Sequence, residues 1–188
     1  TDTEIIVHLY EQYGDDFVTH LRGQFAIALY DMARRRLILA RDRTGICPLH
    51  WTRVGDRLLF ASEIKALLAS GLVDAKVDPL GIDHVFTFFS MARRRTMYAG
   101  VESMLPGHFM RIELRPDGRP AEIVDRCYWD FDFPDEGHED DPADEKKLVD
   151  EFEATFRRAV EVRLRADVPV VGYLSGGIDS AAVMAQAV

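Results

Sequence analysis

The chain opens with an amphipathic pattern that predicts a helix over residues 1–14. Its apolar positions recur at helical spacing and fall on one face: Ile5, Ile6, Leu9, Tyr10 and Tyr13. Thr1 and Glu4 fit a capping box at the start of this helix, and Gly14 fits the position just after its last turn. A short helical segment is expected to follow over residues 15–21.

Strand-like runs then come in pairs, each pair separated by a short turn. This pattern predicts three antiparallel hairpins: residues 23–31 with 36–42, 48–54 with 56–62, and 107–114 with 121–129. Between the second and third hairpins, two segments have helical patterns, with Ser62 as the expected N-cap of one and Pro79 in the first turn of the other. We therefore predict an α+β fold for this part of the chain.

The pattern changes at an acidic segment that contains two prolines and no apolar periodicity, "DFDFPDEGHEDDPADE". Such a composition is typical of an interdomain linker. We predict a first domain over residues 1–131, a linker over 132–143 and a second domain over 144–188. The second domain begins with a predicted helix over residues 143–166, whose apolar positions again follow helical spacing.

The second domain then carries the most specific local pattern of the chain, "ADVPVVGYLSGGIDSAAVMAQAV". Its β-branched start predicts a buried strand and its small-residue end a helix beginning near Asp179. Between them, Ser175, Gly176 and Gly177 lack bulky side chains, so backbone N–H groups can surround an anion beside the positive end of the helix dipole. The complete S-G-G-x-D-S pattern favours phosphate binding over a plain turn, and no Walker motif occurs in the chain.

Composition excludes several classes of function. The net charge of −9 argues against nucleic-acid binding, and no apolar run is long enough to predict a membrane span. The six histidines lack zinc-site spacing, and two cysteines without metal-ligand spacing suit a reducing cytoplasm. The expected partners are therefore small molecules, and a homodimer is kept as a candidate assembly.

Several motifs resemble known families. "LSGGIDS" is similar to the pyrophosphate loop of ATP pyrophosphatases, which split ATP into AMP and pyrophosphate while adenylating a substrate. "LRGQFAIALYD", "LILARDRTGICPLHW" and "FASEIKALLAS" resemble the later part of a class II glutamine amidotransferase domain. "LPGHFMRI" and "CYWDFDF" resemble its junction with the synthetase domain. Together the motifs resemble glutamine-hydrolysing asparagine synthetases of the bacterial B type over nearly the whole chain.

This resemblance implies a fold of the N-terminal-nucleophile hydrolase type, an αββα sandwich that is incomplete here, followed by the opening of an α/β ATP-pyrophosphatase domain. It also implies a nucleophilic Cys directly after the initiator Met, which this chain does not contain. By the same resemblance, Asp2 in "TDTE" would bind the α-amino group of glutamine; helix capping is its alternative role. A fragment of this kind is expected to be inactive in both half-reactions.

The implied second half-reaction adenylates the side-chain carboxylate of aspartate with ATP, after which ammonia displaces AMP to give asparagine. Asp179 would be a ligand of Mg²⁺, with helix N-capping as its alternative role. The expected ATP-binding residues lie in one loop: Leu174, Ser175, Gly176, Gly177 and Ser180. Two alternatives stay open, namely an amidotransferase or β-lactam synthetase acting on another carboxylate, and a non-catalytic module.

Other candidates are assigned structural roles. Thr1 could in principle be an N-terminal nucleophile, but it sits at a helix start, whereas the family's nucleophile begins a strand. Cys47 and Cys127 have no partner histidine placed by the pattern and are interpreted as structural thiols. The charged triplet at residues 41–43 ends a strand and is expected to hold the following turn.

Overall fold

The computed structural model describes residues 2–138 and 145–187, which form two compact units. The first unit extends to Asp132 and the second begins at Phe133. None of the helices described for these residues is long and apolar enough to cross a membrane.

The predicted N-terminal helix is confirmed as α1, Asp2–Tyr13, and a 3₁₀ helix follows over Gly14–His20. Gly14 has a φ of 59°, the left-handed conformation that commonly ends a helix and that glycine adopts at little cost. Thr1, the first member of the predicted capping box, lies outside the described residues. Tyr10 and Phe17 are buried and pack edge to face at 5.8 Å, which holds the two helical segments together.

All three predicted hairpins are confirmed, and one further strand, β5, is present. The strands are β1 (Ala26–Asp31), β2 (Arg36–Arg41), β3 (His50–Val54), β4 (Arg57–Ala61), β5 (Val101–Ser103), β6 (His108–Leu114) and β7 (Pro120–Cys127). β5 has only three residues, too few for an alternating pattern to be recognised.

The strands form two antiparallel sheets, one in the order β1-β2-β6-β7 and the other in the order β4-β3-β5. Ile38 and Leu39 of β2 point to opposite faces of the larger sheet, yet both are buried, so this sheet is covered on both sides. One core contains Tyr10 of α1, the buried residues of the larger sheet, and Leu49 and Met104 beside the smaller sheet. The predicted mixture of helices and antiparallel sheets is therefore confirmed.

The two helical patterns of the first unit correspond to α2 (Ile64–Ala69) and α3 (Pro79–Phe88). Asp78 caps α3 by accepting a hydrogen bond from the backbone N–H of Leu80 at 3.1 Å. The prediction for α2 was wrong in one respect: Glu63, not Ser62, is the residue before the first helical turn. Ser62 therefore lies one residue too early to be the cap.

The second unit contains α4 (Glu145–Arg163) and α5 (Ile178–Ala187). The predicted strand over residues 166–174 was wrong, because this segment belongs to neither sheet. A strand exists only through hydrogen bonds to a neighbouring strand, and the described residues of this unit include no other strand. Its apolar side chains are correspondingly exposed, with Val171 at 82% and Tyr173 at 96%.

The end of β2 carries a buried polar centre that connects both sheets. The fully buried Asp42 carboxylate accepts hydrogen bonds from the backbone N–H groups of Phe25 (3.3 Å), Ile46 (3.0 Å) and Cys47 (2.9 Å). The backbone carbonyl of Asp42 also accepts one from the N–H of Gly107 at 2.9 Å, just before β6. These bonds fix the turn after β2, which is the structural role expected for this charged triplet.

Arg41 extends this centre to the smaller sheet. Its guanidinium donates to the carbonyl oxygens of Gly45 (2.6 Å) and Cys47 (2.8 Å) and to the hydroxyl of Ser103 in β5 (3.2 Å). The hydroxyl of Tyr128 donates to the Arg41 carbonyl at 2.7 Å. Arg43, the third residue of the triplet, instead donates from its side chain to the Thr19 carbonyl at 3.1 Å.

The hydrogen bonds to Asp42 determine its charge state. Burial by itself raises the pKa of the carboxyl, but the backbone N–H groups of Cys47, Ile46 and Phe25 stabilise the carboxylate and lower the pKa below its ordinary value. Asp42 is therefore an anion held inside the first unit by peptide dipoles.

We expect Gly81→Ala to destabilise the first unit. Gly81 is buried in α3, and an added Cβ would collide with the backbone carbonyl of Thr96 and lie 3.0 Å from Met97 Cα. Because backbone atoms cannot rotate away as a side chain can, the free energy of unfolding should fall by about 2–3 kcal/mol. Urea unfolding measures this. Phe86→Ala, which truncates an exposed side chain of the same helix, should change it by less than about 0.5 kcal/mol.

Asp42→Asn should remove part of the pH dependence of stability. The folded-state pKa of Asp42 is below its unfolded value of about 3.9. Its contribution is therefore complete above about pH 4 and is lost as the pH falls through the folded-state pKa. The asparagine loses the charge, so stability at pH 7 should fall by about 2–3 kcal/mol.

Urea unfolding between pH 2 and 7 tests this expectation. The Asp42→Asn curve should fall less steeply on the acid side than the curve of the unmodified chain. Glu122→Gln, at an exposed acid on β7, serves as the control and should leave the acid side unchanged. Equal acid slopes for the unmodified chain and the Asp42 variant would contradict the role assigned to this carboxylate.

Candidate functional site

The predicted phosphate loop lies between the segment 166–174 and α5. Gly176 has a φ of 83°, a conformation that side chains disfavour. A Cβ added at Gly176 would meet nothing within 4 Å, and one added at Gly177 would meet only the Ser175 hydroxyl, at 3.5 Å. The loop is therefore open on the side of its glycines, where a ligand could approach the backbone closely.

Two serine hydroxyls organise the loop. The Ser180 hydroxyl accepts a hydrogen bond from the backbone N–H of Ser175 at 3.2 Å and donates to the carbonyl of Gly177 at 3.1 Å. The two hydroxyls are hydrogen-bonded at 2.9 Å, and the N–H of Gly177 donates to the Ser175 hydroxyl at 3.4 Å. The structure thus brings together Ser175, Gly177 and Ser180 of the predicted set.

Asp179 is the second residue of α5, and its side chain is exposed. Its position in the first turn places a carboxylate near the positive end of the helix dipole. Among the residues that the structure describes, no three His, Cys, Asp or Glu side chains are close enough to hold a metal ion. The role of Asp179 as a Mg²⁺ ligand therefore stays a prediction.

Leu174 precedes the loop with 65% of its surface exposed. It is accessible to a ligand at the loop, and no contact in the structure assigns it a further role.

Two sets of contacts hold α5, the helix that follows the loop: one with α4 and one with Gly172. Arg157 of α4 donates to the side-chain carbonyl of Gln186 in α5 at 3.2 Å, and Val160 is the buried residue of α4. Gly172 lies against α5 so closely that a Cβ there would collide with Met184. These contacts pack α5 against α4 and against Gly172, which precedes the loop.

Asp2 is the first described residue of α1, and its side chain is exposed. Its carboxylate accepts a hydrogen bond from the backbone N–H of Thr3 at 2.9 Å. This bond reaches only the next residue, whereas a capping side chain accepts from the N–H two or three residues on. The capping role and the glutamine-binding role of Asp2 therefore both stay predictions.

The two cysteines lie in different surroundings, and neither forms a disulfide. Cys47 is half-buried, and its backbone N–H donates to Asp42. Cys127 is exposed, and its thiol donates to the carbonyl of Trp129 at 3.3 Å. No imidazole hydrogen bond to either thiol is present among the described residues, and the structural interpretation of both stays a prediction.

The basic run at residues 92–95 lines a groove of about 950 Å³ that the sequence did not predict. Two of its arginines are already paired with acids: Arg94 with Asp125, and Arg95 with the α3 cap Asp78. These pairs neutralise much of the charge, so the groove is not a strongly cationic binding site.

Two family models match the chain. The glutamine amidotransferase domain model matches residues 1–124, and the asparagine synthase model matches residues 151–188. The predicted resemblance to these families is confirmed.

Curated relatives match nearly the whole chain. "Amidase chyE" of Penicillium rubens is 42% identical over 97% of this chain and 26% of its own length. "Asparagine synthetase [glutamine-hydrolyzing] 3" of Bacillus subtilis is 36% identical over 100% of this chain and 29% of its own length. The chain thus spans less than a third of each of these relatives.

Among solved structures, the glutamine phosphoribosylpyrophosphate amidotransferase of B. subtilis, complexed with ADP and GMP, is 17% identical. The match covers 100% of this chain and 37% of that one, with a TM-score of 0.43. A likeness at this level carries no conclusion about function.

Proposed function

The chain belongs to the glutamine amidotransferase domain family, and from this premise we propose that it is part of an ATP-dependent ligase that hydrolyses glutamine and amidates a carboxylic acid. The favoured reaction is asparagine synthesis, in which aspartate, glutamine and ATP give asparagine, glutamate, AMP and pyrophosphate. The supporting observation is the order of two matches along one chain: an amidotransferase domain, then an asparagine synthase segment that contains the S-G-G-x-D-S loop.

In the first half-reaction, the first unit binds glutamine. The proposal gives this unit the sandwich fold of N-terminal-nucleophile hydrolases, with the two antiparallel sheets as its central layers. Asp2 would pair with the α-amino group of glutamine through a charge-assisted hydrogen bond. Neither Cys47 nor Cys127 is assigned as the attacking thiol, because both occupy structural positions.

In the second half-reaction, the loop of the second unit binds the phosphates of ATP. Backbone N–H groups at Gly176 and Gly177, the Ser175 hydroxyl and the start of α5 would stabilise the negative charge, and Ser180 belongs to the same loop. Asp179 would ligate Mg²⁺, which neutralises the departing pyrophosphate. Leu174 would border the nucleotide. The carboxylate substrate takes the place of pyrophosphate on the α-phosphate, and ammonia then displaces AMP.

A second candidate is an amidotransferase that acts on a carboxylic acid other than aspartate. It is favoured by the 42% identity to a protein named an amidase, against 36% to one named an asparagine synthetase. The proposed chemistry at the loop is the same for both candidates, because it involves only ATP and Mg²⁺.

The same proposal assigns the protein to the cytoplasm, since its two cysteines are free thiols, as a reducing compartment favours. A homodimer is the assembly to test alongside the activity.

Pyrophosphate release by the full-length protein with Mg-ATP and glutamine tests the proposed function. We expect release that requires aspartate and yields asparagine, because the adenylate forms only on the correct carboxylate. Release with another acid, but not with aspartate, would favour the second candidate. No release with any acid would contradict both and favour a non-catalytic module. The 188-residue chain by itself should release none.

Asp2→Ala should impair the use of glutamine without affecting the synthetase reaction. Loss of one charge-assisted hydrogen bond should raise the KM for glutamine about 10- to 100-fold. The rate with ammonium chloride in place of glutamine should be unchanged, because ammonia bypasses the first half-reaction. Glu4→Ala, at an acid of the same helical turn, is the control and should leave both rates unchanged. A Glu4 effect as large as that of Asp2 would assign both to helix stability.

A further inference from the structure

Three of the four side-chain hydrogen bonds of the phosphate loop form a closed circuit that begins and ends at Gly177. The N–H of Gly177 donates to the Ser175 hydroxyl, which contacts the Ser180 hydroxyl, which donates to the carbonyl of Gly177. The bond from Ser180 to the carbonyl three residues earlier is common for a serine in a helix. The two bonds that Ser180 forms with Ser175 are not part of that pattern.

The direction of the bond between the hydroxyls follows from counting protons. A serine hydroxyl has one proton and two lone pairs. If the Ser180 proton is directed to the Gly177 carbonyl at 3.1 Å, the proton between the two hydroxyls comes from Ser175. Ser180 accepts that proton and also the N–H of Ser175 at 3.2 Å. Its hydrogen-bonding capacity is therefore fully used within the protein.

We propose that Ser180 is a positioning residue of this loop, whereas Ser175 and the N–H of Gly177 are the groups that turn towards phosphate. This assignment rests on the proposed binding of ATP. Ser175 has an accessible proton and lies in the loop, outside α5. Ser180 is the third residue of α5, and its bonds tie both the Ser175 N–H and the Gly177 carbonyl to the helix.

The bonds of Ser180 would persist when the loop binds an anion. Ser175 can rotate its proton from Ser180 to a phosphate oxygen, and the N–H of Gly177, held by only a long bond of 3.4 Å, can do the same. Ser180 would retain the Ser175 N–H and the Gly177 carbonyl during this change. The loop therefore keeps its shape while two of its donors exchange an internal acceptor for the ligand.

A double-mutant cycle distinguishes this arrangement from one in which both serines touch phosphate. Mg-ATP affinity is measured by calorimetry on the full-length protein with Ser175→Ala, Ser180→Ala and both changes. Each single change should weaken binding about tenfold. Because Ser180 acts partly through Ser175, the two effects should not add. The double change should weaken Mg-ATP binding by well under the hundredfold expected if both serines contacted phosphate independently. Ser180→Thr, which keeps the hydroxyl, should bind within about threefold of the unmodified protein.

Amide hydrogen exchange without nucleotide gives a second readout. Ser180→Ala should speed exchange of the residue-175 amide, which loses its acceptor, whereas Ser175→Ala should leave that amide protected. A ligand role alone would not alter exchange in the absence of ATP. Ser90→Ala, at an exposed serine of the first unit, controls for unspecific effects.

The outcomes separate the two levels of the proposal. A hundredfold loss in the double variant, or unchanged exchange at residue 175 in Ser180→Ala, would overturn the positioning role and leave the ATP site intact. Unchanged Mg-ATP affinity in both single variants would overturn the ATP site itself. If Ser180→Ala does not fold, weak binding by the folded Ser180→Thr variant would overturn the positioning role.

Discussion

The first unit depends on two neighbouring charges, Arg41 and Asp42, most of whose hydrogen bonds go to backbone groups. Asp42 is fully buried, and its carboxylate is surrounded by peptide N–H groups, whereas Arg41 binds carbonyl oxygens across the same turn. Gly45 makes this approach feasible, since a Cβ there would lie 2.7 Å from Pro106 Cγ and 3.1 Å from the Arg41 guanidinium carbon. Burying a charge is costly unless it is hydrogen-bonded in this way. The connection between the two sheets therefore depends on one turn whose sequence allows both charges to be satisfied.

The phosphate loop also provides hydrogen-bond acceptors for its own backbone N–H groups. Here, however, the acceptors are groups that a ligand could replace. In the turn after β2, a permanent carboxylate accepts the N–H groups, and the site is closed. In the loop, neutral hydroxyls accept the N–H groups of Ser175 and Gly177, and the residues are exposed. An incoming phosphate carries more negative charge than a hydroxyl oxygen and is the stronger acceptor. If the proposed role is correct, such a loop would be stable without its ligand and would still favour an anion over its internal partners.

How far the sequence predicted this structure depends on the range of the interactions. The hairpins and α1 were predicted because their patterns and turns are local, and Gly14 has the backbone conformation that its position implied. The strand over residues 166–174 was wrongly predicted, since a β-branched run forms a strand only beside a hydrogen-bonding partner. The S-G-G-x-D-S spacing identified the loop, but no spacing rule reveals that Ser180 faces inward, because this depends on the hydrogen bonds of Ser175 and Gly177.

The proposed roles of the loop residues, in binding phosphate and Mg²⁺, also have a consequence for substrate choice. Ser175, Gly177 and Asp179 would act on phosphates and Mg²⁺, which are common to every carboxylic acid that ATP activates. Residues with such a role discriminate poorly between substrates, because specificity needs a contact that one substrate makes and its competitor lacks. Similarity to proteins named amidases and to others named asparagine synthetases is then expected in this segment. Under this proposal, the preference for one carboxylate would arise from residues outside 174–180 whose side chains contact the acid.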